Sequence, residues 1–207
     1  MLSQLRAAAT LLGILTILLG ILYPMAMTAI AGAVFPAQAS GSLVSRDGQP
    51  VGSSLIGQAF TDARYLQGRP SAAGNGYDGA SSSGTNLGPT SAKLAERLKT
   101  DGEAMKAATG ASTLPADAIT TSGSGLDPDV SPAFAELQVA RIAGARGVDA
   151  DLVRRAIAEN TAGRTLLVLG EPRVNVLAVN LALDAAAPAT PAPAAGTPTA
   201  SADQPAG

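Results

Sequence analysis

No charged side chain occurs between Arg6 and Arg46. Within that gap, residues 9–35 read ATLLGILTILLGILYPMAMTAIAGAVF, one long apolar run. As a helix, about 27 residues rising ~1.5 Å each reach about 40 Å, enough to cross a hydrocarbon core of about 30 Å with some tilt. The expected span is 11–33. Pro24 lies inside it and predicts a kink whose freed carbonyl a neighbouring helix covers. The rival is a cleaved leader, with Arg6 at its basic end and Ala37-Gln38-Ala39 in the small-x-small form of a cleavage site. A leader's apolar region usually runs about 7–15 residues, and this one is nearly twice that, which favours a retained anchor. A buried core helix fits less well, because a run apolar all round needs protein on every side. Arg6 and the amino terminus precede the run, and no Lys or Arg lies in the ten residues after Phe35. Positive flanks stay cytoplasmic, so residues 1–10 are expected inside and the larger remainder outside.

The rest of the chain excludes several kinds of chemistry. Lys and Arg number 14 against 16 Asp and Glu, a net charge of −2 that argues against nucleic-acid binding. There is no Cys, so disulfides and thiol chemistry are absent, and no His, which removes the commonest general base and metal ligand. Three Phe, three Tyr and no Trp leave an aliphatic, Ala-rich core. The expected fold is α+β: one N-terminal transmembrane helix, one compact extracytoplasmic domain at 40–183, and a disordered tail at 184–207. That tail is dominated by Ala and Pro and cannot bury enough surface to offset its ordering entropy.

Within the domain, residues 40–50 predict a strand and a turn at Asp47-Gly48, with 53–60 continuing as strand. Residues 64–89 form a Gly-rich loop, and a loop this long is functional or held by a partner. Thr90 or Ser91 opens a helix that fades near Gly110, with Leu94 and Leu98 on one face. Residues 118–121, AITT, read as a strand. Ser131-Pro132 reads as N-cap and first helical position of a helix over 132–146 that stops at Gly147. Its apolar Phe134, Leu137, Val139 and Ile142 look spread around the axis, which predicts burial on most sides. Asp149 caps the next helix, whose Leu152, Val153, Ala156 and Ile157 form an apolar face. Residues 165–169, TLLVL, read as a buried strand. Residues 174–183 fit strand or helix, with Asn175 as a cap favouring helix.

Between these elements lies SGSGLDPDVSP (122–132), which has the look of a catalytic or phosphate-binding loop. No G-K-[ST] follows SGSG, so it is not a Walker loop. A Ser-His-Asp triad is impossible without His. A Ser-Lys dyad has only Lys93, Lys99 and Lys106 to draw on, all on one solvated helix pattern. Asp127 and Asp129 lack the further oxygens and closing Glu of an EF-hand, and Asp127 more simply accepts amides in its Pro turn. The D-K-T-G-T motif of a phosphorylated cation pump does not occur. A set of polar residues remains among small or apolar neighbours: Arg69, Asn86, Arg141, Arg146, Arg173 and Asn175. Each either braces a loop or faces a partner protein.

The stretches GRPSA (68–72), NLGPT (86–90), SGSGLDP (122–128), QVARIAGARG (138–147) and LGEPRVNVL (169–177), with the apolar helix and FPAQASGSLV (35–44), closely resemble KdpC. This family is the C subunit of the bacterial high-affinity potassium-transporting P-type ATPase. The resemblance covers about 5–184 in family order. Asp129 and Val130 stand where the family usually has His and Ile, and Ser83, Thr85 and Ser91 also depart, so nothing assigned to that histidine transfers. The resemblance implies a non-catalytic accessory subunit of a potassium importer in the bacterial cytoplasmic membrane. Its implied partners are a potassium-binding A subunit, an ATP-hydrolysing B subunit, a small F subunit and the lipid bilayer. No metal and no catalytic residue are implied. ATP enters only through the family's description as a catalytic chaperone that raises the B subunit's ATP affinity. ATP is cytoplasmic while the domain is expected outside, so outer-face assembly ranks above nucleotide contact. The motif residues Arg69, Pro70, Ser71, Asn86, Gly88, Pro89, Ser122, Gly123, Asp127, Gln138, Arg141, Arg146, Glu171, Arg173 and Asn175 are the candidate interface. Arg69 stands first, because Pro70 holds its chain extended within a loop too long to be only a connector. The alternative readings are a membrane-anchored serine hydrolase of the outer face and a secreted binding protein.

Overall fold

A computed structural model of the protein describes residues 2–187. The apolar run forms helix α1 (Leu2–Ile17), a π-helical turn (Leu18–Leu22) and helix α2 (Tyr23–Val34). Together they make a 33-residue helix, among the described residues the one long and apolar enough to cross a membrane, with none of it buried against the rest of the chain. Pro24 has no N–H to give the carbonyl of Gly20, and the helix answers with the wider turn just before it, where Tyr23 N–H reaches the carbonyl of Leu18. A single turn, α3 (Pro36–Ala39), then leads to a hairpin of β1 (Leu43–Arg46) and β2 (Gln49–Ser53). Asp47 and Gly48 both take positive φ, 52° and 77°, as a tight two-residue hairpin turn requires. Strand character ends at Ser53 instead of running to 60, because Gly57 N–H turns away to the carbonyl of Leu126 at 2.8 Å.

Helix α4 (Ala92–Thr109) is capped by the Ser91 hydroxyl and stopped by Gly110 in the left-handed conformation. The predicted strand at 118–121 is absent. A 3-10 turn (Ala116–Ala118) stands there, and its Asp117 carboxylate accepts from both the N–H and the hydroxyl of Ser131, at 2.6 and 3.0 Å. A side chain of this turn thus helps to begin the next helix. Strand β3 (Asp129–Val130) precedes α5 (Pro132–Arg146), which starts at Ser131 and stops at Gly147 as expected. Helix α5 is buried along one stripe, Phe134, Ala135, Gln138, Val139, Ile142 and Ala143, and exposed opposite. The expectation of burial on most sides is corrected: alanines complete a stripe that the larger side chains alone leave ragged.

Helix α6 (Ala150–Glu159) is capped by Asp149 and buries Val153, Ala156 and Ile157. Strands β4 (Thr161–Ala162) and β5 (Arg173–Asn175) join β3 in an antiparallel sheet of order β3-β5-β4. Asn175 then caps α7 (Val176–Ala186), so 173–186 is a short strand followed by the helix the sequence favours. Helices α5, α6 and α7 close over this sheet around Val130, Phe134, Val139, Ile142, Val153, Val174, Val179 and Leu183. The chain is therefore a mixed helix-and-sheet protein with one apolar N-terminal helix.

Two expectations fail at the edges. Residues 165–169 are not a buried strand. They are the tip of the β4–β5 hairpin, and Leu166, Leu167, Val168 and Leu169 are 80, 88, 72 and 59% exposed. Helix α7 also passes the boundary expected at 184, continuing through Ala186. The remainder of the expected tail, 188–207, lies outside the described residues.

Candidate functional site

Eight of the fifteen motif residues fall into three groups, and each group pins part of the long segment 54–91 or of the sheet to its neighbours. The first surrounds the 122–128 loop. Arg69 donates to the Asp127 carboxylate at 2.9 Å, to the Thr121 and Thr120 carbonyls at 3.2 and 3.4 Å, and to the Thr120 hydroxyl at 3.3 Å. Ser71 donates to the carbonyl of Gly125 at 2.6 Å and accepts from the amide of Tyr77 at 2.8 Å. The Tyr77 phenol donates to the carbonyl of Arg69 at 2.6 Å, and burial pushes its pKa up to about 12. Gly125 has φ +66°, and a Cβ there would lie 2.6 Å from the carbonyl oxygen of Ser83 and 2.7 Å from the amide of Ala73. Only glycine fits that position.

The second group holds residues 63–67, which leave a turn at 63–64, against α5 and α7. The buried Gln138 side chain accepts from the Gln67 amide at 2.9 Å and donates to its carbonyl at 3.0 Å. Asn180, equally buried, does the same for Leu66, at 2.7 and 2.9 Å. Two side-chain amides thus replace the neighbouring strand that this segment lacks. Arg141 donates to the carbonyls of Ala63 and Tyr65 and to Gln138. Arg146, whose side chain is 2% exposed, lies over the Tyr65 ring and donates to Asp184 at 2.8 Å and to the carbonyls of Arg64 and Ala187. Asp184 also takes Arg46 of β1 at 2.9 Å and the Tyr65 phenol at 3.2 Å. Burial works to raise the Asp184 carboxyl, but hydrogen bonds from Arg146 and Arg46 outweigh it and the net shift is downward.

The third group ties the sheet to the segment leaving the apolar helix. Asn175 donates to the carbonyl of Ser54 and to Asp129, both at 3.1 Å, and Arg173 pairs with Asp129 at 3.0 Å. Ser54 N–H reaches the carbonyl of Ser42 at 3.1 Å, and Ser53 donates to that of Gly41 at 2.8 Å.

The other candidates lie outside these groups. Asn86, Gly88 and Pro89 are exposed ahead of α4, with Asn86 at φ 53°. Pro70 lines a cleft under α4 with Met105 and Phe134. Ser122 is buried and shares a 3.5 Å contact with the Ser124 hydroxyl, Gly123 is exposed beside it, and Glu171 is exposed and pairs with Arg164. The hydroxyls of Ser71, Ser82 and Ser83 donate to carbonyls, so no base activates them. The loop also suits a triphosphate poorly, since it carries the Asp127 carboxylate and the guanidinium beside it is already committed. Sequence reasoning missed Asn180 and Asp184. A second Asn in the apolar VNVLAVNLAL run, beyond the capping Asn175, was the available signal for the first.

The family model described as KdpC, the c chain of the K+-transporting ATPase, matches residues 5–185. Curated relatives named potassium-transporting ATPase KdpC subunit match almost end to end. The one from Bradyrhizobium diazoefficiens is 51% identical over 90% of this chain and 99% of its own. Those from Methylorubrum extorquens and Caulobacter vibrioides are 55% and 54% identical, over 88% and 91% of this chain and 97% and 96% of theirs.

Proposed function

Since this chain belongs to the KdpC family, the c chain of the K+-transporting ATPase, we propose that it is the non-catalytic accessory subunit of an ATP-driven potassium importer. In this reading the helix Leu2–Val34 crosses the cytoplasmic membrane among the potassium-binding, ATP-hydrolysing and small subunits of the complex. The mixed domain lies on the outer face, as the lone Arg6 before the helix and the uncharged stretch after it favour. The observation that carries the reading is the near end-to-end family match, joined to a motif set whose polar groups brace the fold instead of meeting a reactive atom. The domain's part is to present a rigid outer surface. Any influence on nucleotide affinity passes through the membrane helix, because this reading puts the domain on the face away from cytoplasmic ATP.

The test is complementation. Cells lacking their own C-type subunit, supplied with this chain and the cognate pump subunits, should regain growth on micromolar potassium, and the tagged chain should co-purify with those subunits. The purified chain alone should hydrolyse neither ATP nor ester substrates. Hydrolysis that is lost in Ser122→Ala would favour the hydrolase alternative.

A further inference from the structure

The tip of the β4–β5 hairpin is built in a way that burial inside the chain does not explain. Four consecutive apolar residues, Leu166–Leu169, stand in solvent at 59–88% exposure. They are held there by design of the loop. Thr165 and Leu169 exchange both backbone hydrogen bonds at 2.9 Å, and Arg164 and Glu171 pair at 2.8 Å beneath them. Leu166 and Leu167 take φ 52° and 68°, a left-handed backbone that side-chain-bearing residues adopt at a cost. Strain, closure and exposed leucines together describe a shaped apolar projection, which marks an interaction site.

We infer that this projection docks into an apolar cleft on the outer face of a membrane-embedded partner subunit of the pump, an inference that rests on the accessory-subunit reading. Three observations select that occupant. The exposures leave roughly 500 Å² of surface, within the ~300–600 Å² of functional patches but short of the ~800 Å² per partner of a free-standing interface. Such a patch suits a secondary contact beside an anchoring helix better than a self-sufficient dimer. The guanidiniums flanking the tip are both paired, Arg164 with Glu171 and Arg173 with Asp129, so none is left to favour anionic lipid headgroups. The hairpin base is also tied to the membrane exit, through Asn175 to Ser54 and Ser54 to Ser42, three residues beyond α3. The tip is thus set at a fixed offset from the helix, as a two-point attachment to one neighbour needs.

The absence of native cysteine permits a direct test. Full-length chain carrying Leu167→Cys is co-expressed with the pump subunits, labelled in membranes with a benzophenone maleimide, irradiated and captured by its tag. Exposed Ala145→Cys on α5 serves as comparator. The expected result is an adduct with one membrane-embedded pump subunit, identified by peptide mass spectrometry and absent from the comparator. Adducts confined to lipid or to a second copy of the chain, or no adduct above the comparator, overturn the inference. If the pump subunits still co-purify in those cases, the accessory reading stands. If the unmodified chain captures none, both fall. A Leu166→Ser, Leu167→Ser variant should melt like wild type yet be retained about tenfold less by the complex, as loss of an interface anchor predicts. Unchanged retention contradicts the assignment.

Discussion

Replacing Arg69 by Ala removes the charged side chain that joins the 68–72 segment to the 120–127 loop, leaving the Ser71 hydroxyl on the Gly125 carbonyl. Four interactions are lost: the ion pair to Asp127 and donations to two carbonyls and one hydroxyl. The side chains of Arg69 and Asp127 are 23 and 28% exposed, so the pair is neither fully screened nor fully buried. An exposed pair is worth about 0–1 kcal/mol and a hydrogen bond to a charged group about 1.5–3 kcal/mol. Water can reach the abandoned carbonyls, which places the loss near 2 kcal/mol, or about 6 °C in melting temperature for a chain of this size. Arg69→Lys can still meet Asp127 but cannot span both carbonyls, and should recover about half of that loss. The assay is thermal unfolding of the full chain in detergent, with Asp127→Ala and the double variant closing a cycle whose coupling should be about 1 kcal/mol. An Arg69→Ala chain melting within about a degree of wild type would refute the bracing role. The sequence-based reading of Arg69 as an interface residue would then regain its force.

Asp184→Asn should cost about 3 kcal/mol, since it leaves the Arg146 guanidinium buried without its carboxylate; chemical denaturation measures this, and a loss under half a kcal/mol contradicts it. Gly125→Ala should destabilise by about 3 kcal/mol, combining a left-handed alanine with backbone collisions, whereas Gly110→Ala, with open space around it, should cost about 1 kcal/mol. Tyr77 gives an alkaline signature. Its folded pKa is raised above the unfolded value of about 10, so its contribution is full below pH 10 and is lost as pH rises towards 12. Absorbance titration at 295 nm should show a late-ionising phenol that disappears in Tyr77→Phe.

The sequence announced its helices through their ends. Ser131, Asp149 and Asn175 are each the N-cap the pattern predicts, Ser91 is one of the two it offered with Thr90, and Gly110 and Gly147 each stop a helix, because capping chemistry is local and leaves its mark in single residues. Strands were less legible. β3 and β4 are two residues long, too short for alternation to register, and their pairing depends on partners up to 46 residues away. TLLVL misled because an apolar run scores as buried strand wherever it lies, while its exposure follows from the closure of the hairpin around it. Arg69, Gln138, Arg141 and Arg146 were legible as special, yet their partners were not. Those partners are mostly backbone groups of the 63–67 and 120–121 segments, and a backbone carbonyl has no sequence signature.

The central claim is an anchored subunit whose domain faces outward, and single-cysteine labelling in spheroplasts carrying the assembled complex tests it most directly. A membrane-impermeant maleimide should label Ala145→Cys in intact spheroplasts and Ser3→Cys only after lysis, with the chain's intact mass retaining residues 1–39. Labelling of Ser3→Cys from outside with Ala145→Cys protected until lysis, or a mature chain beginning at Ser40, would contradict the account.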